Sequence, residues 1–180
     1  MQLSTPYALY SDDKFYPPAV KFIKAVNNFL PEVNRVLVLG TGLASIIKVI
    51  NNKGYYPDFT LVEINEEILY WAIEFSESKQ HAKIKPVCMD AQEFMQHHYE
   101  QYDLIFIDIF NGRVVPDFVT DKSFLQKCKA CLSKNGYVGF NYIINDNSTW
   151  ERDSVTFNEV FPENEIISFD PNKVFISRNR

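Results

Sequence analysis

Arg35-Val-Leu-Val-Leu-Gly-Thr-Gly-Leu-Ala-Ser-Ile-Ile-Lys-Val-Ile50 is the stretch whose reading decides the fold. Val36 to Leu39 is an unbroken apolar run rich in β-branched residues, the pattern of a strand buried on both faces, as in a parallel sheet. The run ends at Gly40-Thr41-Gly42, and Leu43, Ile46, Ile47 and Ile50 then recur at the spacing of one helix face. Glycines let the chain turn sharply and let a ligand lie against the backbone with no Cβ in the way. A helix N-terminus adds free N–H groups and a partial positive charge. Strand, glycine turn and helix make a first unit suited to a nucleotide. On its own, Gly-x-Gly is a weak signal that also reads as a tight turn that holds nothing.

The next strand adds to the signal. Phe59-Thr-Leu-Val-Glu63 is a second apolar run that ends in an acid. It follows the glycines by about 20 residues, where nucleotide folds place a ribose-binding carboxylate. One carboxylate can accept from both vicinal hydroxyls of a ribose. A helix over Asn65–Ser76 comes next, with Asn65 as N-cap, Glu66 and Glu67 in the first turn, and Ile68, Trp71, Ala72 and Phe75 facing inward.

Ile84-Lys-Pro-Val-Cys88 reads as a third strand, at an edge because of its proline. Asp90-Ala91 opens a short helix through Phe94 and Met95. Tyr102–Asp108 is a fourth strand, followed by the loop Ile109-Phe-Asn-Gly-Arg-Val-Val-Pro-Asp117. Thr120 or Asp121 caps a helix carrying Phe124, Leu125, Cys128 and Leu132. Asn135-Gly136 is a turn before a fifth strand, Tyr137–Asn141, and a helix covers roughly Thr149 to Val160. Two last strands, Glu165–Phe169 and Lys173–Ser177, are joined by a turn so short that they must be antiparallel. Upstream, Pro17-Pro18 starts a leading helix (17–34) with Val20, Ile23, Val26 and Leu30 on one face and Pro31 as its stop. Residues 1–16 form an arm with Tyr7, Tyr10, Phe15 and Tyr16. It reads either as a segment packed on the domain or as a lid over a ligand.

These elements predict an α/β fold: a doubly wound, Rossmann-like, mostly parallel seven-stranded sheet with a C-terminal antiparallel hairpin. A chain of 180 residues is expected to be one domain, 1–180, with the α/β core at 35–177. Hydrophobic content of 46% and charged content of 23% are ordinary for a globular chain. A net charge of −5 disfavours a general nucleic-acid binder. No apolar run reaches the roughly 20 residues of a membrane span, and the start lacks the pattern of a signal peptide. Three cysteines cannot all pair within the chain, which favours a reducing, cytoplasmic setting.

In this order and spacing, Val36–Gly42, Leu61-Val-Glu63, Met89-Asp90-Ala91, Tyr102–Asp108 with its loop, and Phe124–Phe140 resemble class I S-adenosylmethionine-dependent methyltransferases. Within them the chain looks most like the spermidine synthase-like branch, over about residues 20–177. The resemblance implies S-adenosylmethionine, or its decarboxylated form, as cofactor. It implies Gly40, Thr41 and Gly42 under the methionine part, Glu63 on the ribose, and Ile64 on the adenine face. It implies Asp90 on the adenine amino group with Ala91 beside it, and Asp108 as the catalytic residue near the sulfonium and acceptor. The loop residues Phe110, Asn111 and Arg113 are the expected acceptor side.

The sequence also departs from spermidine synthases. Leu43 and Ala44 stand where that branch carries an acid after its glycines, Asn111 stands in place of a second acid after the fourth strand, and the branch's N-terminal β-hairpin is expected to be missing. Those departures favour methyl transfer to an unidentified small molecule. The alternatives are aminopropyl transfer from decarboxylated cofactor and a catalytically silent nucleoside-binding protein. No metal, nucleic acid or membrane is expected, and a homodimer is left open. Cys128 and Cys131 read as helix residues without redox or metal partners, and Cys88 as a small core residue. His97 and His98 read as a surface helix end, with a general base as the sharper alternative.

Overall fold

The computed structural model describes residues 2–4, 9–76 and 83–180. Strands β1 (Gln2–Ser4) and β2 (Leu9–Asp12) pair as an antiparallel hairpin. Helix α1 (Pro17–Ala25) and a 3-10 helix (Asn27–Glu32) lead into β3 (Arg35–Leu39), α2 (Ser45–Asn51), β4 (Asp58–Glu63), α3 (Glu66–Phe75) and β5 (Ile84–Cys88). Then come α4 (Ala91–His97), β6 (Tyr102–Ile107), α5 (Asp117–Thr120), α6 (Lys122–Ala130) and β7 (Leu132–Ile143). The chain closes with α7 (Asn147–Val160), β8 (Asn164–Phe169) and β9 (Asn172–Arg178).

The seven-stranded sheet has the order β5-β4-β3-β6-β7-β9-β8. Strands β3 to β7 are parallel, and β9 inserts antiparallel between β7 and β8. The chain winds outward from β3 through β4 to β5, then returns to β6 on the other side of β3. That reversal opens a crevice at the carboxyl ends of β3 and β6. Both faces of β3 are covered, as its uninterrupted apolar run requires. Val36 and Val38 pack with Phe22, Ile23 and Ile47 from α1 and α2. Leu37 and Leu39 pack with Phe94, Leu125 and Phe157 from α4, α6 and α7. The proline-bearing third strand is the edge strand β5.

Several local expectations shift. The leading helix is shorter, because the chain tightens to 3-10 after Val26 and Pro31 lies inside that 3-10 segment rather than after a longer helix. Helix α2 begins at Ser45, since Ala44 takes a left-handed conformation with φ +56°. In α3 the buried residues are Leu69 and Ala72, whereas Trp71 is 47% exposed and stacks on Phe75. The inward face is thus turned by about one residue. Strand β7 already starts at Leu132 and absorbs the expected Asn135-Gly136 turn, with Asn135 at φ +67°. Cys88 is exposed, not core, because it ends an edge strand, whereas Cys128 and Cys131 are buried. The arm contains a β-hairpin, against the expectation that none is present. Tyr7 lies outside the described residues. No described helix is long and apolar enough to cross a membrane.

Candidate active site

The parallel register sets residues from four strand ends level with one another. Leu39 pairs with Val62 of β4 and with Ile107 of β6, Glu63 pairs with Cys88, and Ile107 pairs with Phe140. Gly40, Glu63, Asp108 and Asn141 are therefore the next residues in a row along the carboxyl edge. Gly40 has φ +81°, and a Cβ there would come within 2.3 Å of the Asp108 carbonyl oxygen. Only glycine brings these two strand ends so close.

The row opens into a cleft of about 350 Å³, within the range of small-molecule sites. Gly40, Gly42, Glu63, Ile64, Asp90, Ala91, Asp108, Phe110 and Asn111 all line it, so nearly every residue singled out in the sequence meets there. Thr41 is buried behind it and lines an adjoining small pocket. Arg113 is exposed and is not among the lining residues, and its backbone carbonyl accepts from Asn145 Nδ2 at 2.8 Å.

On the β4–β5 side the acids are held by backbone. Glu63 Oε2 accepts from Thr41 N at 3.0 Å and Oε1 from Asn65 N at 3.1 Å. Each oxygen keeps a further lone pair for a hydroxyl donor. Asp90 caps α4, its Oδ1 accepting from Gln92 N at 2.7 Å and Glu93 N at 3.2 Å. Its other oxygen, Oδ2, suits an amino group. Ile64, 69% exposed, and Met89 stand beside these acids as apolar lining. Exposed apolar side chains flanked by two acceptors suit a flat heterocycle that is apolar on its face and polar at its edge. A bare glycine, a fixed carboxylate and this flank are arranged to accommodate a nucleoside.

On the β6–β7 side, Asp108 is half-buried and held by side chains. Its Oδ1 accepts from Asn141 Nδ2 at 2.7 Å and from the Tyr16 hydroxyl at 3.2 Å. Asn141 Oδ1 in turn accepts from Asn172 Nδ2 at 2.9 Å. Burial pushes the Asp108 carboxyl up to about 7, the Asn141 and Tyr16 hydrogen bonds oppose the shift, and the Glu63 charge adds to it. The Tyr16 hydroxyl is raised by burial and by the Asp108 charge, so it remains a proton-bearing donor.

The N-terminal hairpin covers the glycine turn. Ser11 and Ser45 share a hydroxyl–hydroxyl hydrogen bond, Asp12 N donates to Ser45 Oγ at 3.2 Å, and Lys48 pairs with Asp13 at 3.3 Å. A Cβ on Gly42 would come within 2.9 Å of the Tyr10 carbonyl. The start of α2 therefore faces the hairpin. Leu3 and Tyr10 of the hairpin line the cleft. The arm is thus both packed on the core and part of the cleft wall.

Tyr10, Tyr16, Asn141, Met89 and Phe118 were not marked as site residues by sequence reasoning. Asn141 carried a signal, a polar residue ending an otherwise apolar strand. His98 lies at the opposite edge of the sheet, stacked between Phe94 and Tyr102, with Nε2 2.9 Å from the Tyr102 hydroxyl. Tyr102 opens β6, so His98 is remote from the cleft and serves as no base there. Among the described residues, no group of three or more His, Cys, Asp or Glu is arranged to hold a metal ion.

The chain is 26% identical over 157 residues to a polyamine aminopropyltransferase of Vibrio vulnificus, covering 84% of this chain and 52% of the relative. It thus spans about half the length of that curated relative. A human methyltransferase-like protein 13 bound to SAH superposes with TM-score 0.75 at 19% identity, over 93% of this chain and 82% of that one. A probable spermidine synthase from Corynebacterium glutamicum gives TM-score 0.75 at 20% identity, over 98% and 67%. Spermidine synthase from Thermotoga maritima gives 0.71 at 15%, over 90% and 60%. At these identities the solved structures share the fold. Residues 22–162, most of the chain, match the spermine/spermidine synthase domain, and the protein belongs to that family.

Proposed function

We propose that the protein transfers an alkyl group from an S-adenosyl sulfonium donor to an amine, with aminopropyl transfer from the decarboxylated donor as the leading form. The observation that carries this reading is Asp108, level with Gly40 and gripped by Tyr16 and Asn141. The donor, when bound, supplies an already activated carbon, so the protein's task is to align the acceptor and remove its proton. A free amine is protonated near pH 7 and must lose that proton before it attacks. A carboxyl raised to about 7 attracts the ammonium as an anion and is a competent proton acceptor. Glu63, Asp90 and Ile64 would hold the nucleoside and Gly40 would admit the sulfur end.

Family membership and the aminopropyltransferase relative move the balance away from the methyl transfer that the departures alone favoured. Methyl transfer stays as the second reading because Leu43 and Asn111 replace acids that a polyamine site uses. The test is incubation of the full chain with S-adenosylmethionine and, separately, with its decarboxylated form, in the presence of a mixed amine pool. Mass spectrometry distinguishes methylated from aminopropylated amines. Aminopropylated product is expected. Methylated product alone establishes the second reading, and neither product with either donor rejects transfer.

A further inference from the structure

The acceptor half of the cleft differs from what a polyamine needs. Among the described residues, Asp108 is the only acid lining the cleft on the β6–β7 side, since Glu63 and Asp90 belong to the β4–β5 side and are tied to backbone amides. Away from the β4–β5 strands the cleft lining is largely apolar or aromatic: Leu3 and Tyr10 from the hairpin, Ile109 and Phe110 after β6, Pro116 and Phe118 at the start of α5. Asn111 lines the same wall and carries no charge. Among the described residues no Lys, Arg or His lines the cleft, so nothing there welcomes an anionic acceptor. A diamine would have to place its second ammonium among these rings and aliphatic chains. Removing a charge from water into such surroundings without a partner is costly. An apolar body placed there instead gains from burial.

We propose that the acceptor is a primary monoamine with an apolar or aromatic body, its nitrogen at Asp108 and its body against Phe110, Phe118 and Tyr10. The assignment deepens the transfer reading above and rests on it. The amine nitrogen uses its lone pair to form a bond to the donor carbon. The carbon–sulfur bond breaks, its electron pair stays on sulfur, and the sulfonium becomes a neutral thioether. The proton shed by the nitrogen passes to Asp108 and then to solvent. The overall products are a secondary amine, a thioether nucleoside and a proton.

The test measures kcat/KM of the full chain for 2-phenylethylamine, hexylamine and putrescine with each donor, and separately the binding of methylthioadenosine by calorimetry. Both monoamines are expected to exceed putrescine by at least about tenfold, with the difference mainly in KM. Asn111→Asp is expected to narrow that gap by improving putrescine. Phe118→Ala, or the milder Phe118→Leu, should raise KM for 2-phenylethylamine more than for putrescine. Putrescine preferred by the wild type, or methylthioadenosine binding with no monoamine product, overturns the acceptor assignment while leaving the donor site standing. Absence of methylthioadenosine binding, with no product from either donor, overturns the transfer reading and the assignment together.

Discussion

The two halves of the cleft are built in opposite ways. The β4–β5 half uses residues within or just beyond consecutive strands, Glu63-Ile64 and Met89-Asp90-Ala91, and its acids are fixed by backbone N–H groups two or three residues away or across one strand. The β6–β7 half gathers Asp108 with Tyr16, 92 positions earlier, and Asn141, 33 later, through side chains alone. Backbone fixing makes the first half a geometric consequence of the fold. Side-chain fixing makes the second a buried polar network in which each member depends on the others. The first should therefore respond to mutation mainly in donor affinity, and the second in turnover and in pH dependence.

The largest effect is expected at Asp108. Asp108→Asn keeps the shape but removes the proposed proton acceptor, and turnover should fall by about 10²–10⁴-fold while nucleoside affinity changes little. The same variant has a stability signature. Because the folded carboxyl titrates at about 7, above its ordinary 3.8, the native state holds a proton that the unfolded chain gives up over that interval. Wild-type stability contributed by this group is full below about pH 4 and is lost as pH rises through about 7. Asp108→Asn should abolish that slope and melt higher than wild type at pH 8. A melting series over pH 4–8 that is parallel for the two proteins would contradict it.

Next in size is Glu63→Ala. Loss of hydrogen bonds to a charged group should weaken nucleoside binding by about 1.5–3 kcal/mol, read by calorimetry in a variant shown to be folded. Unchanged affinity would mean that Glu63 merely ties Thr41 and Asn65 together. Asn141→Leu sharpens the contrast between the halves. It removes a donor from half-buried Asp108 and strands Asn172, at a cost of about 1–3 kcal/mol in denaturant unfolding. It should also move the pH–rate midpoint upward, because Asn141 opposes the rise in the Asp108 value. A purely structural Asn141 would leave that midpoint in place. The smallest effect belongs to Asp90→Ala, about 1 kcal/mol of stability from the lost α4 cap, together with a modest loss of nucleoside affinity.

The same contrast explains how far the sequence could be read. Period and punctuation carry the sheet: the runs at Val36–Leu39, Phe59–Glu63 and Tyr102–Ile107, the glycine pair, and the short Asp170-Pro-Asn172 turn were enough for strand order class and terminal hairpin. They also locate Glu63, Asp90 and Asp108, because each ends a strand or follows one within two residues. What escaped was set by tertiary contact. The β1–β2 hairpin has weak alternation and pairs only through its own register, so its docking on Ser45 and Lys48 left no local trace. The inward face of α3 was misjudged because Trp71 is apolar yet finds its partner in Phe75 on the same helix. Tyr16 read as an arm aromatic, although its hydroxyl reaches Asp108 across the core.

The proposed fit of the cleft to an adenosyl-sulfur nucleoside is open to direct measurement. The most direct measurement is isothermal calorimetry of the wild-type chain against S-adenosylmethionine, its decarboxylated form, methylthioadenosine and NAD, each repeated with Glu63→Ala. Saturable binding of the sulfur nucleosides, weakened in the variant, with no heat from NAD, is the predicted result. Binding of NAD with no response to any sulfur nucleoside would contradict it.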